Sequence, residues 1–275
     1  MDEGNTNKNI NLLYETKEEK EENIFGEKFV ENNKNNVELI INGEKSELVK
    51  KYKLKKGINN IELIIKNKIT NLEFMFYQCT SLKNIEQLKN LDVKDISNFS
   101  YAFSGCSLLS DIKALENWDV SNGKDFSVIF GWCSSLSDIN PLKNWNVSNC
   151  TNFSAMFYNC TILSDLTPLE KWNVSNGIYF TGMFCKCISL SDLKPLKDWN
   201  VSNGIDYSSI FLCCTSLNDM RPIEDWKVST DRYQNKKYFS CIFGLCSIPE
   251  HQLENIGFHW NISERQQDSV SGKMW

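Results

Sequence analysis

The chain has 275 residues, a formal net charge of −5 and a pI near 5.3. That length allows one or two ordinary domains, and the acidic balance excludes a protein that grips nucleic acid through its phosphates, which takes concentrated lysine and arginine. No apolar run reaches the roughly 18 residues of a spanning helix, so no membrane insertion is expected. In chain order, residues 1–22 are polar and acidic, lack the apolar stretch of a signal peptide and are expected to be disordered. Residues 23–70 carry two β-branched runs, Val37-Glu38-Leu39-Ile40-Ile41 and Ile61-Glu62-Leu63-Ile64-Ile65, with the hairpin signal Asn42-Gly43 between them. A small β-rich cap is expected there, covering the apolar end of the array that begins near residue 71.

From residue 71 to residue 262 the chain repeats every 27 residues. Cys79, Cys106, Cys133, Cys160, Cys187 and Cys214 keep that interval, as do Phe76, Phe103, Phe130, Phe157, Phe184 and Phe211 and the tryptophans Trp118, Trp145, Trp172, Trp199 and Trp226. A period of this size signals units that bury their apolar faces against their neighbours. Within one unit, Phe153, Met156, Phe157 and Cys160 fall at i, i+3, i+4 and i+7, the spacing of a two-turn helix. Leu163, Leu166 and Leu169 then recur every three residues around Pro168, as in a 3₁₀ turn. Trp172 and Val174 alternate as on a short inward-facing strand, and Ser175-Asn176-Gly177 supplies a turn. Parallel strands joined by wide crossovers predict an α/β, right-handed solenoid of about seven coils. The last coil, 227–262, is irregular, with a polar insertion at Asp231 to Lys237; 263–275 form a loosely ordered tail in which Trp275 is free to dock.

Eleven cysteines could indicate disulfides, but the count is odd, and a column of small buried thiols explains the spacing without bonds. Zinc spacing is absent: Cys185/Cys187 and Cys213/Cys214 are not paired CxxC motifs. The aspartates Asp111, Asp138, Asp165, Asp192 and Asp219 read as turn caps rather than a cation strip. Asn122, Asn149, Asn176 and Asn203 read as a hydrogen-bonded column, and the sequons at Asn146, Asn173 and Asn200 recur with the repeat. The tryptophan column reads as core. The two histidines, His251 and His259, stand beside no phosphate loop and no nucleophile elbow, so no catalytic residue, no cofactor, no metal and no small-molecule substrate is expected.

The units Trp118-Asp119-Val120-Ser121-Asn122 and Trp145-Asn146-Val147-Ser148-Asn149, each followed by Phe-Ser-x-x-Phe-x-x-Cys-x-x-Leu, resemble the leucine-rich repeats of BspA-like surface proteins. The resemblance covers roughly 71–262. It departs from the family pattern in the Gly-x-x-Phe that replaces Val-Thr-Asn-Met in several units, as at Gly177 to Phe180, and in lacking a secretion signal. It implies a leucine-rich-repeat-like solenoid and a binding or adhesion surface of the kind carried by microbes and protists. Positions that escape the period are the informative ones, since packing does not dictate them. Trp132, Tyr158, Lys186 and Leu212 are expected to line one surface with the aromatic and cationic character of binding hot spots, and Tyr179, Tyr207 and the inserted loop at Asp231 to Lys237 are secondary candidates. The expected function is a non-enzymatic protein-binding array, a surface or host-interaction protein. An intracellular scaffold, favoured by the missing signal and free thiols, and a structural coat component are the alternatives.

Overall fold

The computed structural model describes residues 9–228 and 240–259. The insertion at 231–237, the tail at 263–275 and Trp275 lie outside the described residues. The regular strands among those described are β1 (Asn9–Thr16), β2 (Lys20–Asn23), β3 (Val37–Ile41), β4 (Glu44–Glu47), β5 (Lys51–Leu54), β6 (Gly57–Ile65) and β7 (Leu82–Asn84). Five of them form one antiparallel sheet in the order β4-β3-β6-β1-β7, and β2 pairs with β5 in a second. The expected disorder of residues 1–22 is therefore corrected for residues 9–22. Along β1 the side chains of Ile10, Leu12, Tyr14 and Thr16 are buried in strict alternation, and that half-buried period outweighs the polar composition around it.

The β3–β4 hairpin turns at Asn42 and Gly43, whose φ values of 51° and 91° suit those residue types. Helix α1 (Glu27–Asn33) lays Phe29 against Phe25, ring centroids 5.7 Å apart, and Phe25 meets Phe76 at 5.6 Å. The main sheet does not stop at residue 70. Through β7 it incorporates the segment after Cys79, and the Glu15 N–H donates to the Ser81 carbonyl at 2.8 Å.

The expected α/β class and the right-handed leucine-rich-repeat-like solenoid of about seven coils are contradicted. The extended sheets are small and antiparallel, and the α-helices among the described residues are α1 and α2 (Glu250–His259), neither within the regular repeats. In place of the two-turn helix, the repeats hold successive turns. Phe126, Val128, Phe130 and Trp132 donate their N–H groups to Asn152, Ser154, Met156 and Tyr158 of the next repeat, at 2.6–3.0 Å. The interleaved Ile129, Gly131 and Cys133 bond back three residues instead, to Phe126, Val128 and Phe130. Left-handed φ at Val128 (56°) and Trp132 (60°) turns alternate amides outward, which no α-helix permits. The expected strand at Trp172 and Val174 is likewise absent: parallel contact shrinks to single-residue bridges, Asn98↔Asp125, Asp125↔Asn152, Asn152↔Tyr179 and Tyr179↔Asp206.

Each regular repeat also carries a short 3₁₀ helix, as at Thr167–Leu169, and each contacts the next in order. Pro141, Pro168, Pro195 and Pro222 stand in the first turn of four of them, where a missing N–H costs nothing. The carboxylates of Asp111, Asp138, Asp165, Asp192 and Asp219 each accept the backbone N–H two residues on, at 2.8–3.1 Å. These aspartates tie off the start of the 3₁₀ turns.

Candidate functional site

Three buried columns hold the repeats in step and leave only the positions between them free to vary. Phe76, Phe103, Phe130, Phe157, Phe184, Phe211 and Phe243 stack with centroids 5.5–5.9 Å apart, offset as aromatic pairs prefer. Trp118, Trp145, Trp172, Trp199 and Trp226 are buried, and each indole N–H donates to the carbonyl of a leucine 30 residues earlier at 2.9–3.0 Å. Cys106, Cys133, Cys160, Cys187 and Cys214 donate weak S–H bonds at 3.1–3.2 Å to phenylalanine carbonyls of the preceding repeat, and Cys79 is buried beside them.

All eleven cysteines are free thiols. Burial pushes the Cys133 thiol up to about 12, which leaves about one thiolate in ten thousand at pH 8. Cys213 and Cys241 are half-buried instead. Iodoacetamide at pH 8 is expected to modify those two in the native chain and to reach the six ladder thiols only after denaturation, read by peptide mass mapping. Labelling of Cys133 or Cys160 as fast as Cys213 would show that the column opens.

Beside the cysteine column runs a line of left-handed residues: Gln78 (φ 57°), Gly105 (79°), Trp132 (60°), Asn159 (58°), Lys186 (61°), Cys213 (62°) and Leu245 (61°). Glycine and asparagine tolerate this conformation, whereas a tryptophan, lysine or leucine there costs on the order of 1–3 kcal/mol. The structure brings three of the expected site residues into contact. The Trp132 and Tyr158 rings lie 4.7 Å apart at 48°, and Lys186 Nζ sits 5.5 Å over the Tyr158 ring. Leu212 is half-buried and is joined to them through the backbone, its carbonyl accepting the Lys186 N–H at 2.7 Å. Tyr207, expected at a surface, is instead fully buried against Phe180 with its hydroxyl donating to the Val201 carbonyl. Tyr179 is exposed but stands apart, in the bridge column among Asn98, Asp125, Asn152 and Asp206. Those four accept the N–H two residues on through their side chains, a bond a tyrosine does not make.

Sequence reasoning missed Leu108, Ile162 and Ile188, all exposed and one or two positions beyond the cysteine column. Equivalent places hold Ser135, Ser134 and Thr161, so the same rule that singled out Trp132 could have found them. Among the described residues, no group of three or more His, Cys, Asp or Glu side chains is placed to hold a metal ion. No described helix is long and apolar enough to cross a membrane. No curated protein and no solved structure matches the chain. The family described as "Mycoplasma protein of unknown function, DUF285" matches residues 46–164 and again 136–243. With the two matches together spanning most of its length, the chain belongs to the DUF285 family.

Proposed function

We propose that the chain is a non-enzymatic binding protein that holds a protein partner against the face formed by Trp132, Tyr158 and Lys186 with Leu108, Ile162 and Ile188. One observation carries this reading: large apolar side chains are exposed at places where neighbouring repeats carry serine or threonine, so packing does not require them. Indole, phenol and ammonium in mutual contact add the anchor types that dominate interface energies. Of the settings for such a face, a BspA-like surface or host-interaction role is supported by the Trp-x-Val-Ser-Asn repeats and by membership of DUF285. An intracellular scaffold is favoured instead by the eleven free thiols, which an oxidising compartment tends to pair.

The double substitution Ile162→Ser with Ile188→Thr uses residues already found at equivalent positions. It is expected to reduce capture of the partner on immobilised protein by at least about tenfold, with unchanged circular dichroism. Undiminished capture removes the face from consideration. Labelling of a tagged chain on intact cells by an impermeant biotin ester separates the two settings: modification supports the surface role, protection the scaffold.

A further inference from the structure

Where the N-terminal sheets meet the repeats, a cleft of about 540 Å³ opens beside Trp132, within the size range of small-ligand pockets. Its walls include Asn23, Gln78, Ser104, Trp132 and Asn159, and none of its lining residues is charged. Gly105 is among its lining residues and has no side chain to fill it, and a Cβ there would approach the Gln78 Cα to 3.1 Å. The Trp132 indole, 45% exposed and braced on Tyr158, stands at its edge.

Among the described residues, three buried side-chain oxygens or nitrogens lack a hydrogen-bond partner, and two of them, Asn23 Oδ1 and Ser104 Oγ, lie on residues that line this cleft. Ser104 is 1% exposed. A buried polar atom left unpaired costs folding free energy, and native proteins keep few without a reason. The repeats offer alternatives at the Ser104 position, since Gly131 and Gly244 fill it elsewhere.

These features share one chemistry. A neutral lining suits neither phosphate nor carboxylate ligands, which call for arginine, lysine or a helix N-terminus. Amides and hydroxyls each donate and accept, as the vicinal hydroxyls of a sugar do, and an indole face packs against the apolar C–H face of a pyranose ring. We propose that this cleft binds a neutral pyranose unit of an uncharged oligosaccharide, stacked on Trp132, with the Ser104 and Asn23 side chains turning to pair with its hydroxyls. The sugar is held and released unchanged. The site shares Trp132 with the protein-binding face but does not use Leu108, Ile162 or Ile188.

Saturation-transfer NMR on the full chain with cellotriose, mannotriose and chitotriose tests it, with a heparin disaccharide and a blocked alanine tripeptide as charged and peptide controls. At least one trisaccharide is expected to take up saturation in preference to both controls. Trp132→Asn places at a left-handed position the residue type that Asn159 already shows there, and is expected to weaken binding at least about tenfold. Ser104→Ala is expected to weaken it by roughly two- to tenfold while leaving the melting temperature unchanged or higher, a combination that a structural hydroxyl does not produce. The Ile162→Ser, Ile188→Thr chain is expected to bind sugar normally, so the two proposals fail separately. Saturation of none of the three trisaccharides, preference for either control, or undiminished affinity in either cleft variant overturns the assignment.

Discussion

Phe157→Ala is expected to destabilise the chain by about 3–5 kcal/mol, the range for emptying a phenylalanine site in a packed core. The ring is fully buried between Phe130 and Phe184, at 5.9 and 5.8 Å and nearly parallel to both. The site is poorly able to collapse on a cavity because the backbone around it is pinned. Its N–H donates to the Met183 carbonyl at 2.9 Å, and its carbonyl accepts the Cys187 thiol at 3.2 Å. Because the ring touches one phenylalanine on each side, the loss falls on two contacts at once. Urea unfolding followed by circular dichroism is expected to show the midpoint falling by about 1 M or more. Amide exchange is expected to accelerate first around residues 130–184. Ile162→Ala in the same repeat removes an exposed side chain and is expected to stay within about 0.5 kcal/mol of the parent. Equal effects from the two would mean that the ring column does not carry the fold's stability.

The columns were legible because packing leaves them no choice: Phe157 is buried on Phe184, Cys160 on the Phe130 carbonyl and Trp172 on the Leu142 carbonyl of neighbouring repeats, so residue type tracks the period. The helix was misread for a physical reason. Apolar residues at i, i+3, i+4 and i+7 line one face of a helix, but they also line one face of successive turns punctuated every fourth residue by a left-handed amide. The residues that carry that conformation include Phe74, Tyr101, Val128 and Ser209, with glycine only at Gly182 in their column, so nothing in composition announces them. The β1 strand was hidden differently: its alternation of Ile10, Leu12 and Tyr14 sits among asparagine, lysine and glutamate, and composition masked periodicity. At the candidate site, Trp132, Tyr158 and Lys186 could be found as breaks in the period. The cleft could not, because Asn23 is far from Ser104 in sequence and only the docking of the N-terminal sheets brings them to one opening.

That docking yields the second large effect, expected for Gly26→Ala. Gly26 has φ −76° and ψ 151°, which any residue adopts, so conformational freedom is not why glycine stands there. A Cβ at this position would lie 1.9 Å from the Phe74 carbonyl oxygen and 3.0 Å from its carbonyl carbon. Neither neighbour can yield cheaply. The Gly26 N–H is bonded to the Met75 carbonyl at 3.0 Å, and the Phe74 N–H is bonded to Ser100 of the next repeat. Relief therefore requires α1 and Phe25 to back away from Phe76, opening the end of the ring column to water. A loss of about 3 kcal/mol or more is expected, at the upper end for overpacking because backbone rather than a side chain is struck. It should appear in a thermal melt as an earlier transition, with dye binding to the exposed Phe25 and Phe76 surface. Gly43→Ala is the contrasting variant: its Cβ meets nothing within 4 Å, but φ is +91°, so only the strain of a left-handed alanine, about 1–2 kcal/mol, is expected. If Gly26→Ala melts like Gly43→Ala, the seam is loose enough to absorb a methyl group, and the N-terminal sheets do not seal the repeats as the contact between Gly26 and Phe74 requires.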